Sequence, residues 1–312
     1  MDMVSLRPSR VQYFFGSRAK FLYELIGWHL RNATDLKFMN YGFAFDRDED
    51  MPQLRAEDEA ERYCAQLYHA VAGQTDLTGK RVLDVGSGRG GGASYVHRYH
   101  ETREMIGCDL ADRAISFCQR VYGGVDGLSF RQGNAMDLPF GEGEFDAVTN
   151  VESSHCYPDL NAFLAEVFRV LKPGGHFLYT DFTPPRGDPK AAQRMTLASL
   201  DQAGFGPVEV TDITGNILRG LERDHERRAR EIGRRFPPGT RRAVKLWAGL
   251  PGSWIYKDFA EGRRDYLMYC ATKPAAAEPV TAPARHFSST STKVMEAEPA
   301  LMTLCSTPTS RR

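Results

Sequence analysis

The chain has 312 residues, and its 40 lysines and arginines balance its 40 aspartates and glutamates, so its formal net charge is zero. A neutral chain has no basic excess with which to hold a phosphate backbone, so nucleic acid is not an expected partner. No apolar stretch approaches the roughly 20 residues that cross a bilayer, and the N-terminus lacks the apolar middle of a signal peptide. We therefore predict a cytoplasmic protein without a transmembrane segment.

The two ends of the chain differ in composition from its middle. Residues 1–78 are rich in aromatic side chains and carry helical patterns of apolar residues at 21–30 and 56–73. We expect these helices to form a lid over an apolar pocket, or a contact between copies of a homo-oligomer. Residues 274–312 are rich in alanine, proline, serine and threonine, which predicts a disordered tail.

The middle region, residues 79–273, alternates β-branched runs with helical patterns, which is typical of a parallel sheet built from βα units. A helical insertion is predicted at about 216–262, before the last strand. Its arginines interleave with acidic residues, which favours a solvated helix face with i,i+4 ion pairs. The runs that predict the seven strands are 81–86, 104–110, 128–134, 145–152, 176–182, 208–215 and 264–273.

The segment VLDVGSGRGGG at 82–92 has the pattern of a buried strand that ends in glycines before a helix. Glycines at this point let the backbone turn tightly and approach a ligand that a Cβ atom would obstruct. Asp109 ends the next strand, 23 residues after Gly86, where a carboxylate can accept both hydroxyls of a ribose. Because Gly86, Gly88 and Gly91 also fit the GxGxxG pattern, this motif alone leaves a nicotinamide-dependent oxidoreductase open.

Two later segments distinguish the cofactor classes. QGNAMDLPFGEGEFDAVTNVE at 132–152 is followed by FRVLKPGGHFLYTDF at 168–182. With the glycine loop and Asp109, they resemble the class I methyltransferases that use S-adenosylmethionine and release S-adenosylhomocysteine. A narrower likeness over about residues 35–273 is to the phthiotriolone and phenolphthiotriolone dimycocerosate methyltransferases, and more distantly to macrolide, sugar and sterol methyltransferases. The resemblance implies an α/β, Rossmann-like fold with a seven-stranded, mostly parallel sheet and helices on both faces.

The resemblance also implies where the cofactor binds. Asp84 is expected to hold the methionine part above a glycine floor, and Asp109 to accept the ribose hydroxyls while Leu110 packs on the adenine. Asn134 stands where the family usually carries aspartate, and its side-chain carbonyl can still accept a hydrogen bond from the adenine amino group. The residues implied to contact the cofactor are Asp84, Gly86, Ser87, Gly88, Asp109, Leu110, Asn134, Ala135, Asn150 and Val151.

Acceptor-side residues are expected at the ends of the fourth and fifth strands. Methyl transfer from a sulfonium mainly requires that the acceptor be oriented and deprotonated, and the chemistry needs no metal. Glu152 and His155 follow the fourth strand, and Asp181 lies near the end of the fifth, at the edge where open α/β sheets bind ligands. A histidine is suited to act as a base at neutral pH, and a neighbouring carboxylate orients its ring. We therefore predict His155 as base, Asp181 as its partner and Glu152 as a further acceptor-side residue.

These features predict an S-adenosylmethionine-dependent enzyme that methylates an oxygen of a bulky hydrophobic small molecule of natural-product or lipid metabolism. One alternative is methylation of an alkene carbon in a prenyl or terpenoid chain, with Glu152 removing a proton and tyrosine rings stabilising the carbocation. A nicotinamide-dependent oxidoreductase would leave the LPF and LKPGG segments unexplained. A non-catalytic binding module is disfavoured because the glycines and acids of the cofactor site are intact.

Overall fold

The computed structural model describes residues 33–185 and 187–275. The helix predicted at 21–30 lies outside the described residues, as does the predicted tail apart from its first two residues. Within the described ranges, no helix combines the length and the apolar character needed to cross a membrane.

Seven strands form one sheet in the order β3-β2-β1-β4-β5-β7-β6. They are β1 (Arg81–Val85), β2 (Glu104–Asp109), β3 (Leu128–Gln132), β4 (Phe145–Val151), β5 (Leu171–Phe182), β6 (Val208–Asp212) and β7 (Tyr266–Thr272). Neighbouring strands from β3 to β5 are parallel, whereas β7 runs antiparallel to both β5 and β6. The predicted seven-stranded, mostly parallel sheet is therefore confirmed.

Helices cover both faces of this sheet. They are α1 (Ala56–Glu59), α2 (Arg62–Ala72), α3 (Gly91–Tyr99), α4 (Asp112–Tyr122), α5 (Leu160–Val170), α6 (Pro189–Ala203), α7 (Thr214–Arg235), α8 (Pro238–Trp247) and α9 (Trp254–Ala260). Successive side chains of a strand point to opposite faces of the sheet, and each face has its own apolar cluster. In β1, Val82 packs in one cluster while Leu83 and Val85 pack in the other. The first cluster includes residues of α2, α3, α4, α7 and α9, and the second includes residues of α5 and α6.

Two predicted elements differ most from the structure in their bounds. The helix predicted at 56–73 is two helices, because Glu61 leaves helical geometry with φ −116° and ψ 30°. Its carboxylate instead accepts the backbone N–H groups of Lys37 and Phe38. Strand β5 begins at Leu171 rather than at 176, since Leu171 already pairs with Phe145 across a β-bulge.

The arginine-rich insertion helix α7 is not simply a solvated face. Its outer side carries the predicted i,i+4 ion pairs, of which Arg230 and Glu226 form one at 3.6 Å. Its inner side buries Asp224, which is 4% exposed, between the guanidinium groups of Arg227 and Arg228. The expectation of a solvated helix was therefore incomplete, because acidic and basic residues also pair on the side that faces the core.

The strand order reverses between β1 and β4. Successive strands run outward from β1 toward β3, and the chain then returns to place β4 on the other side of β1. In open α/β sheets, the carboxyl ends of the strands at such a reversal leave a crevice that binds ligands. The loops after β1, β2, β4 and β5 therefore border one crevice.

Candidate active site

The loop after β1 has a backbone that only glycine adopts easily. Gly86, Gly88 and Gly90 have φ angles of 75°, 52° and 74°. A Cβ atom at Gly86 would lie 1.9 Å from the Ser153 hydroxyl oxygen, so a side chain is excluded there. At Gly88, by contrast, no described atom lies within 4 Å of an added Cβ, which leaves open space above the loop.

Asp109 joins this loop to the end of β2. One carboxylate oxygen accepts the N–H of Gly88 at 2.8 Å, and the other accepts the N–H of Ala111 at 2.9 Å. Burial raises the pKa of Asp109, and these two hydrogen bonds oppose the shift. The next side chain, Leu110, is 55% exposed, which is unusual for a large apolar residue. An acceptor for hydroxyl groups and an apolar surface thus lie side by side at the crevice.

Three buried polar atoms around the glycine loop find no hydrogen-bond partner in the part of the chain that the structure describes. They are Asp84 Oδ2, Ser87 Oγ and Asn150 Oδ1. Thr149 donates to the other oxygen of Asp84 at 2.8 Å, and burial raises the pKa of Asp84 to about 7 despite this bond. An unpaired buried polar atom costs about 1–3 kcal/mol, so such a cluster fits a polar ligand that supplies the missing partners.

The remaining residues predicted for the cofactor differ in their surroundings. The Asn134 side-chain oxygen accepts the N–H of Met136 at 3.1 Å, so one of its two lone pairs is already used. Ala135 and Val151 are 9% and 5% exposed and pack in the apolar clusters. The structure gathers Asp84, Ser87, Asp109 and Asn150 near the glycine loop, whereas it uses the Val151 side chain for core packing.

His155 and Asp181 are directly bonded across the ends of β4 and β5. A short 3₁₀ turn, Ser154–Cys156, follows β4 and presents His155 to the strand β5. The His155 ring Nδ1 lies 2.9 Å from Asp181 Oδ1, and the His155 backbone N–H donates to Oδ2 at 3.0 Å. The Ser154 hydroxyl and the Phe182 N–H also donate to this carboxylate. Four hydrogen bonds therefore fix the pair.

The electrostatics of the pair favour the charged forms of both members. Burial by itself lowers the pKa of His155, but the charge and hydrogen bond of Asp181 outweigh it and raise this pKa well above its usual value. Burial likewise raises the pKa of Asp181, yet His155 and Ser154 bring it below the ordinary range. The His155 side chain remains 25% exposed. Asp181 therefore favours the protonated form of the ring and holds it through Nδ1 rather than Nε2.

Glu152 lies at the tip of β4 in a strained backbone conformation, with a φ of 48° that non-glycine residues seldom adopt. Its Oε1 accepts the backbone N–H of Tyr41 at 2.8 Å and the hydroxyl of Tyr266 at 2.6 Å. Burial raises the pKa of Glu152 to about 7, although both hydrogen bonds favour its charged form. A carboxyl group with such a pKa can give or take a proton near neutral pH.

Aromatic rings cluster on this side of the crevice. Phe182 stands at their centre, with ring centroids 4.5 Å from His155, 5.8 Å from Tyr41, 6.2 Å from Phe259 and 6.1 Å from Tyr266. These rings come from five separate segments of the chain. Phe259 and Tyr266 are 2% and 0% exposed and belong to the core, so only the half-buried rings of Phe182 and Tyr41 can border a hydrophobic acceptor beside the titratable groups.

Sequence reasoning missed several polar residues of the site. The Tyr157 hydroxyl lies 2.6 Å from Ser153 Oγ and 3.1 Å from Asn150 Nδ2, and Asn150 Nδ2 also donates to the Val85 carbonyl at the end of β1 at 2.8 Å. Tyr68 of α2 packs so closely on Gly92 that an added Cβ would lie 1.9 Å from its ring. The third glycine of the run GGG at 90–92 was a signal for this contact, since a glycine at a helix start often admits a close neighbour.

Comparison with known proteins agrees with this geometry. The model of the methyltransferase domain family matches residues 83–179. The fatty-acid O-methyltransferase of Mycolicibacterium smegmatis is 41% identical over 241 residues, which cover 77% of this chain and 85% of that protein. The chain belongs to the S-adenosylmethionine-dependent methyltransferases. The methyltransferase is also 37% identical to the phthiotriol/phenolphthiotriol dimycocerosates methyltransferase of Mycobacterium tuberculosis, over 81% of this chain and 91% of that protein.

Solved structures support the fold of the methyltransferase. The crystal structure of the [4+2]-cyclase SpnF superposes with a TM-score of 0.64 at 23% identity, covering 84% of this chain and 97% of that one. Geranyl diphosphate C-methyltransferase from Streptomyces coelicolor A3(2) gives a TM-score of 0.56 at 22% identity, covering 80% and 97%. The predicted Rossmann-like methyltransferase fold is confirmed. Membership of this family disfavours the nicotinamide-dependent oxidoreductase and the non-catalytic module.

Proposed function

We propose that the methyltransferase transfers the methyl group of S-adenosylmethionine to an oxygen atom of a long, apolar, lipid-like acceptor. The observation that carries the proposal is the His155–Asp181 pair, which lies at the crevice against the aromatic ring of Phe182. Two relatives, named for fatty-acid O-methylation and for phthiotriol dimycocerosates, add support because each matches most of this chain.

The cofactor is proposed to bind along the loops after β1, β2 and β4. Asp109 accepts the ribose hydroxyls, Leu110 and Ala135 border the adenine, and Asn134 accepts from its amino group. Asp84, Ser87 and Asn150 have unpaired buried oxygens that suit the polar methionine end. When bound, the cofactor supplies an electrophilic methyl group on a sulfonium. The full proposed set is Asp84, Gly86, Ser87, Gly88, Asp109, Leu110, Asn134, Ala135, Asn150 and Val151.

His155 has two roles that depend on the acceptor. Because Asp181 raises the pKa of His155, it favours the protonated ring. A carboxylic acid acceptor arrives already ionised, so the imidazolium only needs to bind and orient the carboxylate. A hydroxyl acceptor must lose a proton, so His155 must first be neutral to act as the base. Methylation of an alcohol should therefore rise with pH more steeply than methylation of an acid.

Carbon methylation is the second candidate. Burial raises the pKa of Glu152 to about 7, and its carboxylate accepts the hydroxyl of Tyr266, whose ring lies 6.1 Å from that of Phe182 and 6.0 Å from that of Phe259. Such a carboxylate could remove a proton from a carbocation that the surrounding ring faces stabilise. This arrangement is the specific observation that keeps a prenyl or terpenoid alkene as an alternative acceptor.

Three acceptors test the proposal directly. The purified enzyme is given cofactor with a ¹³C-labelled methyl group and, separately, a long-chain carboxylic acid, the primary alcohol of equal length and a prenyl alkene without a hydroxyl group. Mass spectrometry and NMR then locate the label. We expect a methyl ester or a methyl ether. A label on carbon in the alkene, with no ester or ether formed, would establish the alternative and reject oxygen methylation.

Several sequence predictions remain proposals. The N-terminal lid and the contact between copies of the chain were predicted for residues 1–78, of which residues 1–32 lie outside the described residues. The cytoplasmic location and the boundaries of the N-terminal region, the core and the tail also stay predictions. Deleting residues 1–30 tests the lid, since cofactor binding should persist while acceptor turnover falls.

A further inference from the structure

An extended segment, residues 38–45, runs between two helices on the acceptor side of the crevice. We call this segment the strap. The Phe43 N–H donates to the Tyr63 carbonyl of α2 at 2.9 Å. The Ala44 N–H donates to the Asn216 carbonyl of α7 at 3.0 Å, and the Asn216 side chain returns a bond to the Ala44 carbonyl. The strap is therefore held by the insertion helix as well as by the N-terminal region.

Arg228 of α7 binds the strap at its first turn. Its Nη2 donates to the carbonyl oxygens of Asn40 and Tyr41 at 3.0 and 2.8 Å. Its Nε donates to the buried carboxylate of Asp224 at 2.9 Å, which fixes the plane of the guanidinium group. The Arg228 side chain is 11% exposed. A planar group held at both edges offers little freedom to the two carbonyls that it binds.

A single peptide group connects this arginine to Glu152. The carbonyl of Asn40 and the N–H of Tyr41 belong to the same planar unit and point in opposite directions. Arg228 binds the carbonyl at 3.0 Å, and the N–H donates to Glu152 Oε1 at 2.8 Å. A cation at the carbonyl polarises the peptide and strengthens its N–H as a donor. The guanidinium group of the insertion helix thus acts on a carboxyl group at the tip of β4.

We infer that Arg228 is a positioning residue, which holds the Glu152 carboxyl group in its place on the acceptor side through the Asn40–Tyr41 peptide. The strained φ of 48° at Glu152 agrees with this role, because such a conformation persists only when its surroundings fix it. The inference rests on the proposed function only in that Glu152 faces the acceptor.

Protonation of Glu152 gives a readout that does not require an acceptor. The groups that face its carboxyl are Tyr41, Tyr68 of α2, Tyr266 of β7 and the pair Asp181 and His155. The hydrogen bond from the Tyr41 N–H lowers the pKa of Glu152, although burial raises it overall to about 7. Loss of Arg228 should weaken that bond and move the pKa of Glu152 further upward.

The test compares Arg228→Gln with Arg230→Gln, a matched control on the same helix whose side chain is 71% exposed. In protein labelled with ¹³C at the glutamate carboxyls, the Glu152 signal is assigned by its absence in Glu152→Gln. We expect Arg228→Gln to raise the titration midpoint of this signal and Arg230→Gln to leave it unchanged. An unchanged midpoint in Arg228→Gln would overturn the inference, whatever the acceptor proves to be.

A double-mutant cycle then measures the effect on methyl transfer. Arg228→Gln should lower kcat by about 10- to 100-fold, the loss expected when a group near the reacting atoms is misplaced, with the Kd for S-adenosylmethionine nearly unchanged. In a Glu152→Gln background, Arg228→Gln should add no further loss. An equal loss in both backgrounds would instead assign Arg228 a purely structural role.

A conservative variant covers the case in which Arg228→Gln does not fold. Arg228→Lys keeps a positive charge beside Asp224 but cannot bind that carboxylate and two carbonyls with one rigid fork. Arg228→Lys should raise the titration midpoint of Glu152 and lower kcat by smaller amounts than Arg228→Gln, with cofactor binding intact. If wild-type enzyme methylates none of the three acceptors, the proposed function fails while the carboxyl titration still decides the role of Arg228.

Discussion

The two sides of the crevice are built in different ways. On the cofactor side, the glycine loop and Asp109 belong to adjacent strands only 21 residues apart at their hydrogen bond. On the acceptor side, Glu152 bonds to Tyr41 and Tyr266, which are 111 and 114 residues away along the chain. The proposed cofactor site is a local motif made from consecutive βα units, whereas the proposed acceptor site depends on distant segments of the chain that meet at the strand tips.

This difference suggests how the two sides tolerate change. The proposed cofactor site needs one backbone turn and one carboxylate, and the sheet provides both from neighbouring strands. The aromatic cluster around Phe182 takes its rings from the strap, β5, α9 and β7. Elements outside the βα units can therefore reshape the acceptor pocket while the glycine loop stays unchanged.

The largest expected effect is the loss of turnover when the imidazole ring of His155 is removed from the acceptor side. His155→Ala should lower turnover by about 10² to 10⁴, the usual contribution of a positioned acid or base, while cofactor affinity stays within a few fold. Steady-state kinetics and calorimetry measure the two quantities. His176→Ala is the matched control, because His176 lies on the same strand as Asp181 but pairs with Thr272 at the opposite end of β7. Equal turnover in both variants would remove His155 from the reaction.

The second prediction concerns cofactor affinity, which a change on the cofactor side should lower. Asp109→Ala removes a carboxylate that can accept charge-assisted hydrogen bonds, and loss of one such bond, worth about 1.5–3 kcal/mol, should by itself raise the Kd for S-adenosylmethionine about 10- to 150-fold. Asp112→Ala, at the exposed start of α4, is the control. Calorimetry that finds the same affinity in Asp109→Ala as in wild type would contradict the assigned cofactor site.

The smallest expected effect is a loss of stability at the contact between Gly92 and Tyr68, which lies between the two sides. Gly92→Ala places a methyl group against the Tyr68 ring, and overpacking of this kind lowers the free energy of unfolding by about 1–3 kcal/mol. Urea denaturation measures the loss, and adding Tyr68→Leu should recover part of it. Gly233→Ala in α7 serves as control, since no described atom lies within 4 Å of its added Cβ. Failure of the second substitution to recover stability would show that the ring is not the obstacle.

Much of the cofactor side could be predicted because its signals are local. Asp109 was placed correctly from the spacing to Gly86, and the seven strands followed from their β-branched runs. The pairing of His155 with Asp181 was also predicted, because the ends of parallel strands must meet at one edge of the sheet. The roles of these residues in binding and chemistry remain to be tested.

Other features could not be read locally. The arginines of α7 looked like a solvated face, because nothing in their spacing shows that Arg228 reaches the carbonyls of Asn40 and Tyr41. The break at Glu61 was missed for a similar reason, since its carboxylate binds backbone groups 23 and 24 residues earlier. Both errors arise where a polar side chain is paired with a backbone group of a distant segment.

By itself, the sequence determined the βα alternation, the glycine turn and the acids at the strand ends, because each depends on the conformational limits of a few consecutive residues. Only the tertiary structure decided which rings surround His155, which groups share the carboxylate of Glu152 and where the insertion helix makes contact. The last two of these features join chain segments more than a hundred residues apart, which only the folded sheet brings together. Apolar burial brings the segments together without directional preference, and the buried hydrogen bonds then select one arrangement among them.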